Sequence, residues 1–203
     1  MKKLNLYNNI LIIVSCVVNT VCLILGLMGN YSVNILVCLS YYLLMLAPFI
    51  LKKIKLEFTE HIKTIYVIFV ILSCLMGSVL KLYGRIYWFD SFVHYISGVL
   101  TAFISFLVLI KFNKYNEKEI AFNILFIIIL TLAVAALWEC YEFTVDMILG
   151  GDTQKVLTTG VTDTMKDIIC ALFGSFLVSI MYAYEYINQK KWLVYSFIKV
   201  CDK

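Results

Sequence analysis

Six apolar stretches of about 20 residues follow one another along this chain, separated only by short polar breaks. A helix rises about 1.5 Å per residue, so roughly 20 apolar residues carry it across a hydrocarbon core about 30 Å thick. Hydropathy predicts helices at 9–28, 33–51, 63–82, 91–111, 120–149 and 166–188. The breaks are Gly29-Asn30, the Lys52–Lys55 run, Gly84-Arg85, 113–119 and Gly150-Gly151. These segments use up nearly all of the 203 residues, leaving no length for a soluble domain. The expected fold is all-α: a polytopic helix bundle of about six spans, forming one transmembrane domain over 1–203.

Composition excludes the alternatives. The chain is 63% hydrophobic and 15% charged, whereas a soluble domain runs about 45–50% apolar and about 25% charged. Disorder needs low hydrophobicity and high net charge. The formal charge of +4 comes from short basic clusters between apolar runs rather than a patch, so the expected partner is the lipid bilayer and not nucleic acid. The seven cysteines fall mostly inside apolar runs without regular spacing, and read as small hydrophobes. The lysine-bearing N-terminus lacks a small-x-small cleavage pattern before Met28, so this stretch reads as a retained helix rather than a signal peptide. The basic, aromatic segment from Lys190 reads as an amphipathic tail along the membrane surface.

Basic residues also predict orientation. The N-terminus, the 52–63 loop, the 111–118 loop and the C-terminal tail share one side and carry thirteen of the 17 Lys and Arg. The opposite side holds Lys81, Arg85, Lys155 and Lys166. The positive-inside rule therefore predicts a cell-membrane protein with both termini cytoplasmic.

Acidic residues in or beside membrane helices are costly and are functional candidates by default. They cluster in three places, all extracytoplasmic in this topology. Asp90 and His94 open the fourth helix, spaced i, i+4. Glu139, Glu142 and Asp146 close the fifth, at i, i+3, i+7. Asp163 and Asp167 open the sixth, again i, i+4. Each spacing sets its side chains on one helix face. Facing lipid they would be prohibitively costly, so one interior pocket is expected. Glu139 should lie at its centre, with Glu139, Asp167 and His94 within about 8 Å of one another. Plainer roles exist for each: Asp163 as an acid at a helix N-terminus, Asp90 as an N-cap with His94 an interior polar residue, Glu142 and Asp146 as solvated interfacial acids, Asp152 as a turn residue.

Converging carboxylates require protonation or a compensating cation. His94, Glu139, Glu142 and Asp167 are the expected metal ligands. With one histidine among acids, the set suits Mg²⁺, Mn²⁺ or Ca²⁺ and accepts Zn²⁺ or Fe²⁺. Asp90, His94, Glu139, Glu142, Asp163 and Asp167 are the candidate catalytic groups. Ser97-Gly98 and Gly174 suit close helix packing, Cys170 shares the Asp167 face, and Tyr87, Trp88 and Trp138 read as interfacial aromatics.

The order D-x₃-H-x₃-G, then Leu-Trp-Glu-x-x-Glu, then D-T-x-x-D-x₆-G resembles the YjdF-like family of small bacterial membrane proteins. It falls on Asp90, His94, Gly98, Trp138, Glu139, Glu142, Asp163, Thr164, Asp167 and Gly174, across about residues 87–175. The resemblance implies a shared fold and polar constellation, and names no reaction. A looser likeness is to VanZ-like proteins, linked to glycopeptide-antibiotic tolerance, with D-x₃-H, E-x₂-Q and D-x₃-N in order. Here Glu142 replaces the glutamine and Ala171 the asparagine.

Three functions fit this pattern. One is a metal-dependent enzyme acting on a lipid or lipid-linked phosphate at the outer leaflet. The others are a cation- or proton-coupled carrier and a non-catalytic protein binding lipid or a partner. A carrier calls for an acidic path across the bilayer or a repeat with broken helices, and neither is visible.

Overall fold

Inside a bilayer every backbone N–H and C=O must be satisfied by the protein, and the helix does this within one segment. The computed structural model describes residues 2–29, 34–53 and 60–201, and their regular secondary structure is entirely helical. Asn30 of the first expected break, Lys55 of the second and Lys203 of the tail lie outside the described residues. Helices α1 (Lys2–Leu27), α2 (Ile35–Lys53), α3 (Glu60–Val70), α4 (Leu82–Arg85) and α5 (Phe89–Lys111) are followed by α6 (Ile120–Leu149), α7 (Val156–Thr159), α8 (Thr162–Ile187) and α9 (Leu193–Cys201). Five segments among the described residues are long and apolar enough to span a membrane: Lys3–Leu27, Glu60–Val79, Phe89–Lys111, Ile120–Leu149 and Thr162–Ile187. The second expected span, 33–51, is shorter, its apolar part being Ile35–Ile50.

The chain divides into two compact units, Met1–Asp90 and Ser91–Lys203. In the first, α1 shows burial inverted relative to a soluble protein, while α2, α3 and the following turns contribute a buried apolar cluster of Cys38, Tyr41, Met45, Val67, Val70 and Leu75. Along α1 the buried positions are Asn8, Ser15, Asn19 and Cys22, while Ile13, Val17 and Val21 are exposed, as lipid-facing side chains are. Without a hydrophobic drive between helices in lipid, interhelical hydrogen bonds and close packing hold the group together. Asn19 donates to the Cys38 carbonyl of α2 at 3.0 Å. Asn8 donates to Glu60 at the start of α3 and accepts from Thr64 at 2.8 Å.

The third span differs from the uniform helix expected over 63–82. It begins at Glu60 and passes into a π-helical stretch, Ile71–Val79, closed by the Leu80 N–H on the Leu75 carbonyl at 2.8 Å. Gly77 within this stretch leaves room for the Tyr83 ring of α4, which a Cβ there would run into.

The second unit contains α6, α8 and α9 and all of α5 beyond its first two residues. The division falls inside the first turn of α5, so Asp90 rides on the same helix as His94. Asn123 of α6 donates to the Tyr182 hydroxyl of α8 at 3.0 Å, fixing these two helices in antiparallel register. Helix α5 runs parallel to α8 at very close approach. A Cβ on Gly98 would strike the Ala171 carbonyl, and one on Gly174 would strike the Tyr95 carbonyl.

Candidate functional site

Backbone contact at Gly98 and Ala171 brings α5 and α8 together one turn below His94 and Asp167, since each glycine or alanine follows its polar residue by four. The consequence is a contact between the two side chains. His94 Nε2 lies 3.6 Å from Asp167 Oδ2, with side-chain exposures of 12% and 4%. Asp90, one turn before His94, completes a group in which one donor atom from each of the three residues lies within 4.8 Å of the others. Among the described residues this is the group of His, Cys, Asp and Glu whose spacing suits a metal ion.

The donor set fits a hard divalent cation. It offers one imidazole nitrogen and two carboxylates, and three protein ligands leave positions open for water or substrate. Two ligands about 2.1 Å from a tetrahedral metal stand roughly 3.4 Å apart, close to the observed His94–Asp167 separation. A cation would also balance two carboxylates, one of them nearly solvent-free, at a depth where uncompensated charge is costly. Ser97 donates its hydroxyl to the His94 carbonyl at 2.7 Å, bonding to its own helix.

The remaining acids are placed differently. Glu139 is 5% exposed and continues the buried α6 stripe of Asn123, Ile127, Thr131 and Ala135. The Gln154 amide donates to the Glu139 carbonyl at 3.1 Å and to its carboxylate at 3.3 Å. Glu142, about 60° round the helix from Glu139 at 100° per residue, accepts the Trp138 indole N–H at 2.9 Å. Asp146 turns back onto the following loop and accepts the Thr153 and Gln154 amides at 2.7 and 2.9 Å. Asp163 pairs with Lys155 at 3.0 Å. Of the four metal ligands expected from sequence, His94 and Asp167 belong to the group of three, joined by Asp90.

Two participants escaped the sequence reading. Gln154 is 8% exposed and links Glu139 to the loop held by Asp146. Lys155, counted only as a topological charge, neutralises Asp163. Both sit in a glycine-flanked loop with no periodicity to mark them. Asp152, expected as a turn residue, accepts the Leu157 amide at 3.0 Å.

The family profile described as "Predicted membrane protein (DUF2238)" matches residues 9–188. A protein of Thermotoga maritima described as "Uncharacterized protein" is 30% identical over 135 residues, covering 66% of this chain and 68% of the relative. No solved structure matches the chain.

Proposed function

The chain belongs to the family described as "Predicted membrane protein (DUF2238)", and from that premise we propose a divalent-cation-dependent membrane enzyme acting on a lipid or lipid-linked phosphate. The carrying observation is the convergence of Asp90, His94 and Asp167 donor atoms within 4.8 Å. The YjdF-like resemblance over residues 87–175 is consistent with the membership. The VanZ-like ordering rests in part on the same three residues. The distribution of Lys and Arg supports an extracytoplasmic site in the cell membrane, with both termini cytoplasmic.

In this reading Asp90, His94 and Asp167 hold the cation, which when bound supplies Lewis-acid polarisation of a phosphoryl oxygen or a water acidic enough to ionise near neutral pH. Burial of Asp167 and His94 limits competing water and strengthens every charge interaction within the site. Glu139 serves as an acid–base group, its carboxylate oriented by the Gln154 amide. Glu142 and Asp163 are supporting residues, committed to Trp138 and Lys155.

Elemental analysis of the purified full-length protein tests the metal. About one divalent ion per chain is expected, lost in His94→Ala and Asp167→Asn and kept in Glu142→Gln. Metal content unchanged in His94→Ala overturns the site. Release of inorganic phosphate from a short-chain lipid phosphate, with Mg²⁺, Mn²⁺, Ca²⁺ or Zn²⁺ supplied in turn, tests the reaction. A bound ion without release under any of them replaces the enzyme with a cation carrier or binding protein.

A further inference from the structure

Helix α8 carries a second polar assembly at the end opposite Asp167. Glu185 lies eighteen residues further on, about 27 Å along the helix, close to the thickness of the hydrocarbon core. It is 3% exposed, and its two carboxylate oxygens accept the amides of Val194 and Tyr195 at 3.0 and 2.7 Å. These are first-turn N–H groups of α9, so the carboxylate is neutralised by the positive end of the helix that it anchors. Val194, Phe197 and Ile198 are buried on the docked face, with Phe197 edge-on to Phe103 at 4.8 Å.

Beside this anchor is a cavity of about 60 Å³, whose lining includes Tyr115, Glu117, Tyr186, Lys190, Lys191 and Tyr195. By a comparable measure one water needs about 10–15 Å³, so a larger polar group fits. With Glu185 satisfied by amides, the lining charges that remain are Glu117 against Lys190 and Lys191. Lys199, outside the lining, shares the Tyr195 ring with Lys191: their ammonium groups stand 5.8 and 5.9 Å from its centre. Trp192 and Leu193 are 55% and 58% exposed, and the Trp192 ring packs tilted against Tyr184 of the span itself at 5.4 Å.

We propose that α9 and this cavity bind the headgroup of an anionic phospholipid. Lys191 and Lys199 meet the phosphate, and Trp192 and Leu193 enter the acyl boundary. A soluble anion has no use for exposed Trp and Leu, and an uncharged lipid has none for paired lysines. A charged phospholipid satisfies both, and the position supplies one, because α9 starts six residues after a membrane span ends at Ile187.

The test is native mass spectrometry of the full-length protein in detergent, titrated with phosphatidylglycerol or phosphatidylcholine. Phosphatidylglycerol is expected to bind at least tenfold more tightly. Each lysine near a lipid surface contributes about fivefold, so Lys191→Gln with Lys199→Gln should weaken phosphatidylglycerol roughly 25-fold. Both side chains are exposed, so the fold survives their replacement, checked by unchanged elution volume. The control, Lys114→Gln with Lys118→Gln, removes two exposed cations from the connection before α6 and should stay within about twofold of the parent. Equal affinity for the two lipids overturns the proposal. So does equal loss in both double variants, which is general charge attraction, or displacement of phosphatidylglycerol by an equal concentration of inorganic phosphate, which makes the cavity a soluble-anion site.

Discussion

One missing methyl group at Gly98 governs how near His94 approaches Asp167. Because a Cβ there would overlap the Ala171 carbonyl, Gly98→Ala must push α5 off α8 one turn below the site. Overpacking of this kind costs about 1–3 kcal/mol. The variant is expected to melt several degrees lower in detergent and to lose bound metal together with His94→Ala. Gly84→Ala is the matched control, since nothing lies within 4 Å of its added carbon, and it should melt with the parent; a Gly98→Ala protein that does the same breaks the link between packing and site. At this scale the sequence is informative where spacing acts within one helix, as for Asp90 with His94. It is mute where a partner arrives from another segment. Nothing in the order of residues says that Lys155 takes Asp163 or that Trp138 takes Glu142.

At the scale of elements, the loop after α6 is organised by a residue that belongs to the helix before it. Gly150, at φ +69°, turns the chain out of α6, and the Asp146 carboxylate then gathers the Thr153 and Gln154 amides. This sets the Gln154 side chain against Glu139. Asp146→Asn weakens two charge-assisted bonds, so hydrogen exchange at Thr153 and Gln154 should quicken measurably, without change in the amides around Ile127. Equal protection in parent and variant would mean that Asp146 does not hold the loop. The limits of α6 were legible to the residue, because a long apolar run stops at a glycine pair. The π-helical half of the third span was not, since hydropathy carries no signal that separates a π turn from an α turn, nor the close approach of Tyr83 to Gly77 within it. Helix α8 starts at Thr162 rather than 166, because its first turn, 162–165, is mostly polar and carries no apolar periodicity, while Gly160 at φ 62° ends α7 just before it.

Over the whole molecule, the open quantity is which side of the membrane holds Asp90, His94 and Asp167. Thirteen basic residues against four predict that the 150–161 connection faces outward and the 111–119 connection inward. The structure offers suitable probes in each. Leu157 is 84% exposed in α7, and Lys118 is exposed before α6. In a background lacking the seven native cysteines, a Leu157→Cys protein in right-side-out vesicles should react with a membrane-impermeant maleimide. A Lys118→Cys protein should react only after the vesicles are opened. The two connections flank α6, a 30-residue span, so they must report opposite sides if that helix crosses. Labelling of both from outside would show that α6 does not cross. Reversed labelling would leave the metal group intact but turn it toward the cytoplasm, where an outer-leaflet substrate cannot reach it, while moving α9 and its lysines to the outer surface. One pair of labelling reactions therefore fixes the sidedness of the Asp90–His94–Asp167 group and of the lipid-binding end together, because α8 carries both.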